Sequence, residues 1–251
     1  MDLTKISVIV PIYNREEYIN SSLRSLISQR TDDISIHIIV VDDGSTDQSV
    51  SIITALEKEF GDIDLVSTPN KGISHARNVG LAKVPQDTDY ISFLDSDDIS
   101  PLGRFEADLA PLEQQPSLKF SYGKMLISHF SNTTSERELL ESGLNVRSIQ
   151  LAALLIKYEY AIEIGAFNEE FKQAEDTDYL LRVFENSMDY LLVDTICVYY
   201  RKHTGNISSR TDVNLRYFLK AVHLSIKRRR LNPNTGFPDG IFSNDARQKR
   251  F

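Results

Sequence analysis

Hydrophobic positions follow two rhythms that alternate over the first hundred residues. Ile6-Ser7-Val8-Ile9-Val10-Pro11-Ile12 is a nearly continuous β-branched run, the pattern of a strand covered on both faces. From about Arg15 the spacing becomes a helical stripe of Tyr18, Ile19, Leu23, Leu26 and Ile27. Ile36-His37-Ile38-Ile39-Val40-Val41 predicts a second buried strand. Ser45-Thr46-Asp47 then offers capping oxygens to a helix carrying Val50, Ile53, Leu56 and Phe60. A short strand at 63–66, a helix at 72–82 and a fourth strand at 90–94 complete the series. Such alternation predicts right-handed crossovers and a parallel sheet, with ligands at the carboxyl ends of the strands.

The rhythm is less regular afterwards. A helix is expected at 102–112, a strand or hairpin at 120–130, and a mobile polar loop at 131–145. An apolar stretch at 151–156 is followed by a helix at 176–186, with Tyr179, Leu180, Val183 and Phe184 as its apolar face. A strand at 198–200 and a helix at 215–227 close the pattern. Residues 231–251 hold two prolines and two glycines and read as a partly disordered tail.

The predicted strand ends carry the chemistry. Tyr13 and Asn14 follow the first strand, where an aromatic ring can stack a flat base. Asp42 and Asp43 follow the second, where a carboxylate can accept a base N–H. The fourth strand runs into Asp95-Ser96-Asp97-Asp98. Three carboxylates in four residues repel one another unless a cation or solvent compensates, and carboxylates at a rigid strand end suit a hard divalent cation. Lys71 and Arg77 flank a predicted helix start, a favourable place for an anion. Glu175 and Asp176 open another helix, where the helix dipole alone would favour acids; a catalytic role requires a carboxylate exposed in the cleft as general base. His203 ends a strand among cations and can serve as a metal ligand.

Composition adds charge asymmetry to this picture. Residues 1–200 hold 16 Lys/Arg against 33 Asp/Glu, and residues 201–251 hold 12 against 3, so −17 and +9 make up the net −8. An acidic body and no recognised module argue against nucleic-acid binding. The basic stretch from 213 to 230 carries apolar residues at helical spacing. It can pack on the domain with its basic end in solvent, or lie on an anionic membrane. The single cysteine, Cys197, permits no disulfide within the chain. The first residues lack signal-peptide features and no run reaches bilayer-spanning length. Together these predict a cytoplasmic location, peripheral at the inner membrane face if the basic helix binds lipid.

In this order the motifs strongly resemble those of glycosyltransferase family 2. The matching segments are Val8 to Asn14, Val40 to Asp47, Asn70-Lys71-Gly72 through Ala76-Arg77-Asn78, and Phe93 to Asp98. Ile164 to Glu169, Glu175 to Asp178 and Tyr200 to His203 follow, so that the likeness covers roughly residues 5–210. The resemblance implies a GT-A fold: a Rossmann-like, mostly parallel central sheet flanked by helices. A smaller acceptor-side region and a C-terminal helix would complete it. It implies one domain over 1–230, with a nucleotide-binding half at about 1–100, an acceptor half at about 101–215, and the basic helix at about 213–230.

The resemblance also implies roles. Tyr13 would stack on the base beside Pro11 and Glu16, and Asp42 would bind the base N–H. Arg77 would support the nucleotide diphosphate and Asp95 would lie near the ribose and donor sugar. Asn14, Asp43, Lys71 and Ser96 would complete the nucleotide-sugar contacts. Asp97 would bind Mn²⁺ or Mg²⁺, with Asp98 an alternative ligand and His203 able to meet the metal or diphosphate. Asp176 would be the catalytic base, with Glu175 beside it. The implied reaction is an inverting, metal-dependent transfer from a nucleotide-diphosphate sugar, a UDP-sugar first among them, to a glycan or lipid-linked acceptor.

Two departures qualify the likeness. The family's Gly-Gly-Phe-Asp-Glu is Gly165-Ala166-Phe167-Asn168-Glu169 here. The Gln-x-x-Arg-Trp motif of processive synthases is absent, and there is no tryptophan. The missing motif and the lack of a bilayer-spanning run favour single additions over a processive polymerase. A nucleotidyltransferase would carry a glycine-rich loop after the first strand, where Ile12-Tyr13-Asn14-Arg15 stands instead. A non-catalytic nucleotide-sugar-binding subunit is the other alternative.

Overall fold

The computed structural model describes residues 3–204 and 211–232. Four parallel strands form its first half: β1 (Thr4–Ile12), β2 (Ile34–Asp42), β3 (Ile63–Ser67) and β4 (Tyr90–Phe93), ordered β3-β2-β1-β4. The sheet continues beyond β4 with β5 (Phe120–Ser128), β6 (Leu144–Val146) and β7 (Leu154–Lys157), in the order β4-β7-β5-β6 and antiparallel at each step. The last strand, β8 (Tyr190–Arg201), runs parallel to β5. The continuous run of parallel strands therefore lies within residues 1–100, and the later part of the sheet is mixed, with β8 parallel to β5 among antiparallel pairs.

Helices cover both faces, as the unbroken apolar runs require. Ile6, Val8, Val10 and Ile12 of β1 face a core shared with α1 (Ile19–Ile27), α2 (Ser49–Phe60) and α4 (Arg104–Gln114). Ile9, between them, faces the other core with α3 (Ile73–Lys83), α6 (Tyr158–Ile164) and α7 (Glu175–Asn186). Helix α3 comes so close to β1 that a Cβ on Gly80 would sit 2.5 Å from Ile9 Cγ2. Ala221 of helix α8 (Thr211–Leu231) packs with Leu181 of α7 and with Phe171 in the loop before α7.

Several elements differ from expectation. Residues 15–18 form a turn, and α1 starts only at Ile19. The backbone N–H groups of Arg15 and Glu16 are taken by Ser49 Oγ and Asp47 Oδ2, which tie this segment to the start of α2. The polar stretch 131–145 is ordered rather than a mobile loop. It holds α5 (Glu136–Ser142), started by a reciprocal capping box between Ser135 and Glu138, and then β6. Helix α6 was not anticipated, and β8 begins eight residues before the expected strand. The expected tail lies, beyond residue 232, outside the described residues.

Candidate functional site

The carboxyl ends of β1, β2 and β4 open onto one cleft of about 700 Å³. Pro11 and Tyr13 line it at the β1 end, and Tyr13 is 46% exposed, its ring free to stack on a flat group. Asn14 and Glu16 have a different task. Asn14 sits at φ 50° and accepts from Thr46 N at 2.8 Å, while Glu16 accepts from Gln48 N at 2.7 Å. Both carboxamide and carboxylate are spent joining the β1 and β2 loops, which fixes Tyr13 between them.

Of the two acids after β2, the cleft is lined by Asp43 and not by Asp42. Asp42 is buried and accepts from Ser45 N at 3.0 Å, closing its own turn. Asp43 accepts from the N–H groups of Lys71 and Gly72, each at 2.8 Å, and so holds the loop entering α3. Gly72, at φ 96°, is the conformation that lets this backbone turn toward Asp43.

Arg77 is buried within α3 and does not present a free guanidinium to a phosphate. Its Nη2 donates to Asp95 Oδ1 at 2.8 Å and its Nη1 donates to Glu175 Oε1. One cation thereby joins the end of β4 to the start of α7. Burial raises the Asp95 carboxyl above its ordinary range against the opposing pull of Arg77. Glu175 is 6% exposed and is committed to this bridge.

The three aspartates after β4 point in different directions. Asp95, Ser96 and Asp97 line the cleft. Asp97 Oδ2 lies 3.0 Å from His203 Nε2 and 3.2 Å from Arg15 Nε. His203 is held by stacking on Tyr18 at 4.8 Å between ring centroids. Asp98 turns inward and is fully buried, accepting from Arg201 N at 2.9 Å and Gln150 Nε2 at 3.4 Å. Burial, with Asp97 and Asp95 nearby, pushes its carboxyl well above the usual range. The structure thus separates two acids that the sequence left as alternative ligands: Asp97 faces the cleft and Asp98 does not.

Asp176 lies across the cleft from this group, at the first turn of α7. Ala174, at φ 55°, takes a left-handed conformation just before the helix and turns the chain there. Asp176 Oδ1 accepts from Thr177 N at 2.6 Å. Burial, reinforced by the Glu175 charge and opposed by Arg77, raises the Asp176 carboxyl to about 7. Such a group exchanges a proton near neutral pH, as a general base must.

Several lining residues carried no clear sequence signal. Lys172, Gln173, Asn214 and Phe218 come from segments without a motif. Arg15 stands beside Asn14, and Arg201 two residues before His203, so both were within reach of the motifs. Arg201 Nε donates to Asp97 O at 2.9 Å and so supports the backbone of the aspartate turn. Among the described residues, no three His, Cys, Asp or Glu side chains converge as a self-sufficient metal site.

The chain matches the family model described as Glycosyl transferase family 2 over residues 7–142. It is 41% identical over 110 residues to an uncharacterized glycosyltransferase of Haemophilus influenzae, covering 43% of this chain and 42% of the relative. It is 43% identical over 100 residues to the teichoic acid poly(glycerol phosphate) polymerase of Staphylococcus epidermidis, covering 38% of this chain and 13% of that protein. The chain thus spans less than half the length of either relative. The crystal structure of S. aureus TarS 1–349 in complex with UDP-GlcNAc superposes with a TM-score of 0.73 at 22% identity, covering 94% of this chain and 68% of that one. That likeness shows the shared fold, which agrees with the GT-A expectation. With the family model matching more than half of its residues, the chain belongs to glycosyltransferase family 2.

Proposed function

We propose that this chain transfers a sugar from a nucleotide-diphosphate donor to an acceptor hydroxyl on a glycan or lipid-linked saccharide, in polysaccharide or cell-surface glycan synthesis. The observation that carries the reading is the placement of Tyr13, Asp97 and Asp176 on one cleft. A base-stacking ring, a cation-binding acid and a general base are what such a transfer needs. A uridine nucleotide is the first candidate, because the similar TarS structure holds UDP-GlcNAc. The teichoic acid relative supports a cell-surface product.

A divalent cation, Mn²⁺ or Mg²⁺, fits the residues present. Asp97 Oδ2 and His203 Nε2 are 3.0 Å apart. A carboxylate oxygen and an imidazole nitrogen are both donors such a cation accepts, so Asp97 and His203 would hold it together with oxygens of the donor diphosphate. Bound there, the cation would neutralise charge on the departing nucleoside diphosphate. Asp98, buried and turned inward, is not part of this donor set.

The chain's own residues supply the rest. Asp176 would take the proton from the acceptor hydroxyl as that oxygen attacks the anomeric carbon. Attack opposite the leaving diphosphate in a single displacement inverts the anomeric centre. The Glu175–Arg77–Asp95 bridge would keep base and donor sites in register, so that orientation contributes much of the rate.

A panel of UDP- and GDP-sugars, assayed for nucleoside diphosphate release with and without Mn²⁺ or Mg²⁺, tests this proposal. Metal-dependent turnover of one donor is the expected result. Tight UDP binding without turnover of any donor, with or without acceptor saccharides, would favour the non-catalytic subunit.

A further inference from the structure

Helix α8 is anchored by one face only. Tyr217, Ala221 and Leu224 pack with Phe171 and Leu181, and Arg228 pairs with Asp178 at 3.0 Å and with Glu185 at 2.6 Å. At helical spacing these positions share one side. Leu215, Leu219 and Ile226 fall on the opposite side and are 58%, 56% and 39% exposed. Arg230 is exposed on that side, and Arg216 and Lys227 are exposed along its flank. A helix that only packed on the domain would have polar residues there, and among the described residues nothing packs over this second apolar stripe. The same helix also sends Asn214 and Phe218 into the cleft.

We infer that the Leu215–Leu219–Ile226 stripe docks this domain on an anionic membrane surface, with Arg216, Lys227 and Arg230 against lipid phosphates. Charge selects this occupant. Residues 201–251 carry 12 Lys/Arg against 3 Asp/Glu, while the body is strongly acidic. An anionic surface repels the body and accepts the molecule through α8. A second copy of the chain, meeting stripe to stripe about a two-fold axis, would oppose like charges. Docked this way, the cleft opens beside the bilayer, where a lipid-linked acceptor would present its hydroxyl.

Co-sedimentation of the full chain with phosphatidylcholine vesicles, with and without phosphatidylglycerol, tests the inference. Binding should require phosphatidylglycerol and weaken with salt. Neutralising Arg216, Lys227 and Arg230 with glutamine should weaken it roughly a hundredfold. Leu219→Glu with Ile226→Glu should abolish it while thermal unfolding stays cooperative. None of these side chains lines the cleft, so UDP binding by the same variants should be unchanged, which separates this inference from the catalytic proposal. No binding, equal binding to both vesicles, or self-association of the wild type that Leu219→Glu abolishes would overturn it.

Discussion

Nε2 of His203 lies 3.0 Å from Oδ2 of Asp97, although 106 residues separate them in the chain. The contact brings the end of β8 to the loop after β4, and with it the later, mixed part of the sheet to the first four parallel strands. Stacking on Tyr18 and the support of Arg201 at Asp97 O hold both partners in place. If this pair holds the cation, His203→Ala and Asp97→Asn should each weaken Mn²⁺-dependent UDP binding tenfold or more, and neither should affect metal-free UDP binding. Calorimetry with and without Mn²⁺ reads both numbers.

Asp98→Asn should behave differently from Asp97→Asn. The asparagine keeps an acceptor oxygen for Arg201 N and remains inside the fold. Metal-dependent UDP binding should be retained in this variant. Loss of metal dependence in Asp98→Asn, with Asp97→Asn unaffected, would reverse the assignment of the two acids.

Arg77 holds the buried Glu175 and the partly exposed Asp95, so its removal leaves a buried charge without its partner. Arg77→Met should destabilise the fold by about 3–5 kcal/mol in urea unfolding, the usual cost of breaking a buried pair by removing one partner. Arg77→Lys keeps the charge but loses the planar fork that reaches Asp95 and Glu175 together. It should fold and bind UDP, with kcat reduced more than KM is raised. An unchanged kcat would show that the bridge does not position the reacting groups.

The raised Asp176 carboxyl predicts a pH dependence of both rate and stability. Turnover should rise with pH through about 7, as Asp176 loses its proton and becomes a base. Glu175→Gln removes a neighbouring negative charge, so this limb should move to lower pH. Stability has the opposite slope. The folded chain keeps a proton on Asp176 that the unfolded chain releases near pH 4, so this group's contribution falls as pH rises from about 4 to 7. Asp176→Asn removes that cost and should raise the melting temperature by a few degrees at pH 8 and hardly at all at pH 4.

The first hundred residues were largely legible because their strands are mostly buried on both faces and read as nearly continuous β-branched runs, as in Ile36 to Val41 with only His37 between. The rest of the chain was harder. Helix α5 is polar except for Leu139 and Leu140, so its capping box was hidden within loop-like composition. The first part of β8 is interrupted by Asp194 and Thr195 and is only partly buried, which weakens the strand signal. Site residues were found wherever a strand end concentrated acids. Their division of labour was not, because it depends on pairings across the chain. Nothing near Arg77 in sequence reveals that its partners are Asp95 and Glu175, nor does Asp95-Ser96-Asp97-Asp98 show which acid turns inward.

On the proposed reading, Asp176 is the base of a sugar transfer at this cleft. Initial rates of Asp176→Asn with the donor identified by screening, alongside its UDP affinity, test it most directly. A fall in kcat of about 10²- to 10⁴-fold with UDP affinity unchanged is the predicted result. Wild-type turnover in Asp176→Asn, at pH 7 and above, would contradict it.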